Sequence, residues 1–502
     1  MFSTTKILEQ KRTILMGLLI MLTVIGYNIL RGMKKAVILT FPSAGAAYIP
    51  FVKTTLVMPM SILIGALYLY VRHKRGIITA YYAVTAMFLF YFVLFTFYLL
   101  PNITSVTPDA VWLSECQKQL PHFKFFIGML SNWPIAMYYV AAELWGTYSL
   151  VVLFWQIANE LYTPAEATDC FPTFIFVSSV SIIIASYIIE GLSLTNDPLT
   201  TCTLTICSLG AAMTLIVFTL NHYYHDRFIN SHLSSHVPAK KKKISFSDSL
   251  SLTFSSPHVL YIGICVFSFG MLVNFFELSL DHKISQYYSN PKLLLEFQSW
   301  FTRTKGILCI LANVVNAVML RRMGWFAVAM ITPCICILSA NIFLFSCYHI
   351  DFLQSLMPAG SAEEILVWTG CILLVVTYSC KYSFFDTTKE LAFTPLPDSM
   401  KANAKAVADG ICGRAGKSGS SFVQASLISI TAAQTVPDIV PYLMYLGAFL
   451  SVFWVWSMTR LNHSYQAKMA LINATDPIDT DSADATSPQH DQISSPLEAS
   501  TT

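Results

Sequence analysis

The chain has 502 residues, of which 55% are hydrophobic and 12% are charged, and its mean hydropathy is +0.58. Ordinary soluble domains carry about 25% charged residues, so this composition excludes a soluble globular protein. The net charge of +3 says little about partners, because most of the chain would lie in lipid. The sequence therefore predicts an all-α, polytopic membrane protein.

Twelve apolar stretches can each cross the membrane as a helix, since about 20 residues span the roughly 30 Å hydrocarbon core. The first six predicted spans are 13–30, 51–71, 77–100, 133–158, 172–190 and 199–221. The second six are 257–280, 301–320, 325–347, 365–385, 404–432 and 439–458. We therefore predict twelve transmembrane helices in two six-helix halves. The eleventh span differs from the others because it carries charges, namely Lys405, Asp409, Arg414 and Lys417.

Two polar segments complete the predicted domain order. An N-terminal six-helix bundle (13–221) is followed by a basic linker (222–256), a C-terminal six-helix bundle (257–460) and a C-terminal tail (461–502). The tail becomes rich in Ser, Thr, Asp and Ala from about Ile472 and cannot bury enough apolar surface to fold alone, so we expect it to be mostly disordered. Two bundles joined by a linker are the layout of transporters whose halves rock around a central site.

Positive charges in the loops predict the orientation, because Lys and Arg accumulate on the cytoplasmic side of the membrane. The cations that fall on one side of the twelve-helix alternation are Lys6, Lys11, Arg12, Arg72, Lys74, Arg75, Lys240 to Lys243, Arg321 and Arg322. The loops 191–198 and 348–364, on the other side, contain no Lys or Arg. Both termini and the linker should therefore be cytoplasmic. The cluster Arg31, Lys34 and Lys35 is the exception to this bias.

Several ionisable residues stand alone inside the predicted spans. Glu143 has no Asp, Glu, Lys or Arg for 18 residues before it and 16 after it, and Glu277 follows 28 residues without a formal charge. Lys53 is likewise isolated, and Lys381 ends an uncharged run of 16. A charge at the centre of a membrane helix costs roughly 2.5 to 3.5 kcal/mol on insertion scales, so such residues usually mark a substrate or ion path.

Three cations lie at helical spacings at the end of the first span. Arg31, Lys34 and Lys35 share one face if the helix continues beyond Leu30, as the apolar run 36–41 indicates. They would then face a cavity inside the protein, because charge that faces lipid is too costly. The alternative is that they snorkel to the outer interface.

The embedded cations outnumber the embedded acids, which fits an anionic substrate such as a polyphosphate. The embedded cations are Lys53, Lys381, Lys405, Arg414 and Lys417, and the embedded acids are Glu143, Glu277 and Asp409. The alternative is internal pairing, for example of Lys405 with Asp409 at the i,i+4 spacing of a helix.

The segment Gly410–Ser418 ends like a phosphate-binding P-loop, but Ile411 takes the place of the required first glycine and no strand precedes it. We interpret it as a helix whose small residues allow close approach of another helix or a ligand. The twelve cysteines are scattered and indicate neither a disulfide framework nor a metal site. No catalytic, metal or cofactor motif is recognised, so we predict a protein that is not an enzyme.

Several segments resemble one known family. They are AYIPFVK (47–53), AELWG with FWQIANELYTPAEA (142–167), VNFFEL (273–278), MGWFAVAMITP (323–333), KYSFFDTTKELAFTPLPDSMKANAKAVADG (381–410) and GRAGKSGSS (413–421). These segments resemble the nucleotide transporters of chlamydiae, rickettsiae and plastids, the ATP/ADP translocase family. The resemblance covers roughly residues 15–460. It implies a major-facilitator-like fold, transport of intact nucleotides, and a place in the bacterial inner (cell) membrane among lipids, with no nucleic-acid partner.

The resemblance also implies roles for particular residues. Functionally important charges of the family match Lys53, Glu143, Glu277 and Lys417, which hydropathy singled out independently. We predict that the substrate phosphates are bound by Arg31, Lys34, Lys53, Lys381 and Lys417. We predict that gating or proton coupling involves Glu143, Glu277, Lys405 and Asp409.

The first span departs from the family pattern. ATP/ADP exchangers of the family typically read R-D-T-K-D-T there, whereas this chain reads Arg-Gly-Met-Lys-Lys-Ala at 31–36, so both acids are absent. Strict ATP/ADP exchange therefore has two alternatives, which are proton-coupled symport of nucleoside triphosphates and transport of another nucleotide such as NAD. A receptor or scaffold that does not transport is an alternative of a different class.

Overall fold

The computed structural model describes residues 2–41, 45–225, 256–356 and 361–475, and the regular structure in these ranges is helical. The N-terminal helices are α1 (Phe2–Thr40), α2 (Tyr48–Leu99), α3 (Trp133–Leu161), α4 (Pro164–Ser193) and α5 (Pro198–Tyr223). The C-terminal helices are α6 (Pro257–Tyr287), α7 (Pro291–Tyr348), α8 (Ala362–Ala392), α9 (Gly413–Ile430) and α10 (Val440–Thr475). Shorter helices, among them Ala110–Gln119 and Lys124–Ser131, lie between α2 and α3.

Two of the long helices are divided by a glycine. Within the described residues, nine helices are long and apolar enough to cross a membrane, and α2 and α7 are 52 and 58 residues long. Each is more than twice the roughly 20 residues that one crossing needs. Gly76 and Gly324 interrupt them with φ values of 86° and 78°, a left-handed conformation that favours glycine. Counting two limbs in α2 and in α7, and adding the more polar α9, the architecture is consistent with the twelve predicted spans.

The helix starts follow local sequence signals. Thr163 caps α4 by accepting a hydrogen bond from the backbone of Glu166, whose carboxylate in turn accepts from the backbone of Thr163. The side chains of Asp197 and Asn290 cap α5 and α7 by accepting hydrogen bonds from backbone amides of the first turn. Proline at the first position of α4, α5, α6 and α7 adds a fixed helical φ where no amide donor is needed.

Two groups of helices pack around α1 and α6. In the N-half (α1–α5), α1 contacts α3, α4 and α5, and in the C-half (α6–α10), α6 contacts α7, α8, α9 and α10. The halves meet where α7 packs against α4 and α1, and where α9 packs against the start of α2. Large apolar side chains such as Ile62, Phe90, Phe218, Phe449 and Val452 are exposed on the outside, as expected of surfaces that contact lipid.

The two ends of the bundle are named by their residues. The terminal face carries Arg12 at the start of α1, Glu166 at the start of α4 and Ser464 near the end of α10. The distal face carries Glu190 near the end of α4 and Arg303 near the start of α7.

The first and last helices extend beyond their predicted spans. The first helix runs to Thr40, which confirms that it continues beyond Leu30. The last helix continues through residues 461–475, which the sequence analysis assigned to the tail, because good helix formers persist to about Leu471. Residues 226–255, most of the predicted linker, and 476–502 of the tail lie outside the described residues.

Candidate functional site

Three cations on α1 point into the protein where the two halves meet. Lys34 is only 6% exposed, and the side chains of Arg31 and Lys35 are 17% and 13% exposed. Their spacing of three and four residues places them on one helix face, as predicted. This burial does not fit the alternative in which they snorkel to an interface.

Carboxylates from both halves pair with these cations. The ammonium of Lys34 forms an ion pair with Glu143 of α3, inside the N-half. Arg31 Nη2 lies 3.3 Å from Glu277 Oε1 of α6, so this pair joins the two halves. Lys35 Nζ donates to Asp281 Oδ1 at 2.7 Å, one turn further along α6. Ion pairs thus connect α1 to α6.

Aromatic faces enclose the same cations. Lys34 Nζ lies 4.9 Å from the ring centroid of Tyr139, and the Arg31 guanidinium lies 5.2 Å from that of Tyr378. Such cation–π contacts stabilise the positive charge where water is scarce. We call Arg31, Lys34, Lys35, Lys53, Glu143, Glu277 and Asp281 the central charge cluster.

Lys53 and Lys417 have no carboxylate at ion-pair distance among the described residues. Lys53 Nζ donates to the amide oxygen of Asn274 on α6 at 3.1 Å, a neutral partner in the other half. Lys53 lies within electrostatic range of Glu277 and Lys417. Lys417 in turn lies within range of Arg31 and Glu277, and its side chain is exposed beside α9.

A close helix contact positions Lys417. A Cβ on Gly416 would lie 2.6 Å from the backbone oxygen of Phe267, and one on Gly270 would lie 3.2 Å from Gly416 Cα. Only glycine allows α6 and α9 to approach this closely. The interpretation of this segment as a helix with small packing residues is confirmed at Gly416, whereas Gly410 faces open space.

Lys381 is already paired within its own helix. Its Nζ donates to Asp386 Oδ2 at 2.8 Å and lies 4.2 Å from the ring centroid of Tyr382. Its charge is therefore less available to a ligand than the charges of Lys53 and Lys417.

Lys405 and Asp409 lie apart from the central charge cluster, near the terminal face. Lys405 Nζ contacts Glu390 Oε2 at 2.5 Å, and Lys389 Nζ contacts Asp409 Oδ1 at 2.5 Å. The expected alternative, a pair between Lys405 and Asp409 themselves, is wrong because the end of α8 brings opposite charges closer to each of them.

Segments of π-helix coincide with the predicted site residues. Lys53 lies in the π-helical segment Val52–Val57, Lys381 begins Lys381–Phe385, and Asp409 lies in Ala406–Cys412. Another such segment, Gly146–Phe154, begins three residues after Glu143. The π-helix is rare and is frequently found at functional sites, because it turns side chains out of the regular register.

Three polar residues of the centre were missed by sequence reasoning. Asp281 and Asn274 bind Lys35 and Lys53, and Lys305 of α7 is 3% exposed beside Asn28 of α1. Asp281 repeats Glu277 at the i+4 spacing, and that signal could have found it. Among the residues described, no group of three or more His, Cys, Asp or Glu side chains could hold a metal ion.

Two helical halves around a central charge cluster define a multi-pass membrane protein with a major-facilitator-like fold. The fold is similar to that of the nucleoside transporter NupG, with a TM-score of 0.53 and 13% identity over 89% of this chain and 98% of that one. It is also similar to that of a D-xylose–proton symporter, with a TM-score of 0.55 and 13% identity over 88% and 96%. At such identities these similarities concern the fold alone.

Sequence comparison gives the family. The model of the TLC ATP/ADP transporter family matches residues 1–465. The chain is 29% identical over 459 residues to ADP,ATP carrier protein 4 of Rickettsia conorii, covering 88% of this chain and 89% of the carrier. It is 27% identical over 477 residues to ADP,ATP carrier protein 3 of Rickettsia prowazekii, covering 91% and 95%. The chain therefore belongs to the TLC ATP/ADP transporter family, and it is a nucleotide transporter of the membrane rather than an enzyme.

Proposed function

We propose that the protein moves intact nucleoside di- or triphosphates, such as ADP and ATP, across the bacterial cell membrane by alternating access of the N-half and the C-half. The terminal face would be cytoplasmic, as the loop charges predict. The observation that carries this proposal is that Lys53, inside the central charge cluster, and Lys417, exposed beside it, are two cations without a carboxylate partner in the described structure. Phosphate oxygens are strong acceptors for such groups.

The central charge cluster suggests how binding and movement are linked. In the structure, Glu277 pairs with Arg31 across the halves, and Glu143 pairs with Lys34 inside the N-half. Phosphate bound to Lys53 and Lys417 would compete with Glu277 for Arg31 and with Glu143 for Lys34, since cations attract phosphate and carboxylate alike. Competition at Arg31 would weaken a contact that holds the halves together. Lys381, Lys405 and Asp409 would contribute nearer the terminal face.

Uptake of radiolabelled ATP and ADP by bacterial cells that express the full chain tests the proposal. We expect uptake that saturates with nucleotide concentration and falls steeply in Lys53→Gln. Lys74→Gln, at an exposed position, is the matched control and should transport normally. If the wild-type chain inserts into the membrane and moves no nucleotide, the proposal is wrong.

The coupling mode has its own test. Two features support proton symport as the alternative to exchange: the first span lacks the family's two acids, and the side chain of Glu143 is 36% exposed. Exchange predicts that uptake persists after a protonophore and that efflux requires external nucleotide. Symport predicts that uptake collapses with the proton gradient and that Glu143→Gln removes this sensitivity. Competition with NAD and with other nucleotides would identify the preferred substrate.

A further inference from the structure

The buried cation Lys305 lies beside the central charge cluster and has no strong partner. Its only described hydrogen-bond acceptor is Asn28 Oδ1, at 3.5 Å, which is at the outer limit for a hydrogen bond. A lysine ammonium has three donors, so two of them lack an acceptor in the described part of the chain. Burying a charge in this way is costly unless an opposite charge joins it.

The charges around Lys305 leave room for an anion. Arg31 is its strongest electrostatic neighbour, and Lys35 and Glu277 are also within range. Glu277 is already shared by Arg31 and Lys35. Asn28 and Arg31 are about one helical turn apart on the same face of α1. Lys305, which contacts Asn28, therefore lies close to Arg31. Two neighbouring cations repel each other, and an anion placed between them would remove that repulsion.

These cations differ in how far their side chains are exposed. Lys417 is exposed, Lys53 is partly buried, the Arg31 side chain is 17% exposed and Lys305 is 3% exposed. A nucleotide that enters from the side of Lys417 would reach Lys305 last. The part that reaches furthest would be the phosphate most distant from the base.

We propose that Lys305 and Arg31 together form a subsite for the terminal phosphate, so that Lys305 sets the preference between nucleotides with different numbers of phosphates. This inference rests on the proposed function. The guanidinium can bind two phosphate oxygens with its planar fork, and the ammonium adds a point charge from the other half. A nucleotide with fewer phosphates would leave the subsite empty and would not be affected by Lys305.

Competition for uptake tests the proposal in cells that express the full chain. Labelled ADP serves as the tracer, and unlabelled ATP, ADP and AMP serve as competitors. We expect Lys305→Met to weaken competition by ATP about tenfold relative to competition by AMP, the effect of losing one charge-assisted contact. Lys305→Arg should restore most of the wild-type ratio. Lys292→Met, on the same helix and partly exposed, is the matched control and should leave the ratio unchanged.

An ATP-to-AMP ratio that is unchanged in Lys305→Met would overturn the inference. An equal loss for all three competitors is one such result, and it indicates a structural role. If Lys305→Met shows no uptake at all, the same ratio is measured from the thermal stabilisation of the purified protein by each nucleotide. If the wild type transports nucleotide and the variant keeps the wild-type ratio, only this subsite is refuted. If the wild type moves no nucleotide, the proposed function is refuted.

Discussion

The distal and terminal faces are held together in different ways. At the distal face, polar contacts join the N-half to the C-half. Arg303 Nη1 lies 2.8 Å from Glu190 Oε2, and Lys124 Nζ lies 2.8 Å from Gln434 Oε1. His122 Nδ1 lies 2.7 Å from the backbone oxygen of Ser429. At the terminal face, the ion pairs Arg12–Glu166, Arg72–Glu160, Lys389–Asp409 and Lys405–Glu390 each join segments of one half.

Contacts between α4 and α7 also join the halves. Ser299 of α7 donates to the backbone oxygen of Ser186 of α4 at 2.9 Å, and Gly306, further along α7, lies against Ile182 and Ile183. A carrier that works by rocking two halves must break contacts between the halves and can keep contacts within each half. The structure therefore corresponds to a carrier closed at the distal face. Changes between the halves should alter transport, and changes within a half should alter stability.

The largest effect is expected at Lys53, which contacts Asn274 of the other half. Lys53→Gln removes the charge and should lower uptake of labelled ATP by about 100-fold, because a buried charged contact is lost at the proposed phosphate site. Membrane insertion, measured on the same cells, should not change. Uptake within about threefold of the wild type would contradict the assignment of Lys53 to the substrate.

The second prediction compares two carboxylates, one that pairs with cations of the other half and one that pairs within its own half. Glu277→Gln removes the partner of Arg31 and Lys35 and should lower uptake about tenfold. Glu160→Gln, which breaks the pair with Arg72 inside the N-half, should lower the melting temperature but leave uptake within about twofold. The reverse order of the two uptake rates would contradict the division between the faces.

A smaller effect is expected at the distal ion pair. The side chains of Arg303 and Glu190 are 28% and 41% exposed, so the pair contributes little stability. Arg303→Glu should still lower uptake about threefold, because like charges would oppose closure of the distal face. The double change Arg303→Glu with Glu190→Arg should restore uptake. Failure of this rescue, with both proteins inserted, would show that the pair is not part of the closure.

The smallest effect on transport is expected at Glu166. Burial opposes ionisation there, but hydrogen bonds from Arg12 and Thr163 hold the pKa of Glu166 at about 2, below the ordinary value of 4.5. A lowered pKa stabilises the folded protein above pH 4.5, and this stabilisation is lost as the pH falls toward 2. The melting temperatures of the wild type and Glu166→Gln should therefore differ at pH 6 and converge under acid. Uptake by the two proteins at neutral pH should be equal. A difference in melting temperature that grows on acidification would contradict the stabilising role of Glu166.

The sequence could predict that isolated charges lie inside the protein, because the cost of a charge within an apolar span depends on neighbouring residues alone. Glu143, Glu277 and Lys53 stood alone in the sequence, and the structure brings them to one place. Asp281 and Lys305 lie near the ends of spans beside Lys283 and Arg303, so they did not stand out.

Pairing and backbone register could not be predicted. The partners of Arg31 and Lys35 lie 246 positions away in sequence, so tertiary contact alone selects them. Local spacing suggested that Lys405 pairs with Asp409, but α8 supplies other partners. The π-helical segments at Lys53 and Lys381 depend on packing between helices and leave no pattern in the sequence.

Equilibrium binding of ATP to the purified full-length protein tests whether Lys53 and Lys417 bind the nucleotide. We expect the double variant Lys53→Gln with Lys417→Gln to bind ATP at least about 100-fold more weakly than the wild type, since two proposed phosphate contacts are lost. The matched double variant Lys74→Gln with Lys292→Gln, which removes the same charge outside the centre, should bind like the wild type. Equal ATP affinity in both double variants would contradict the account.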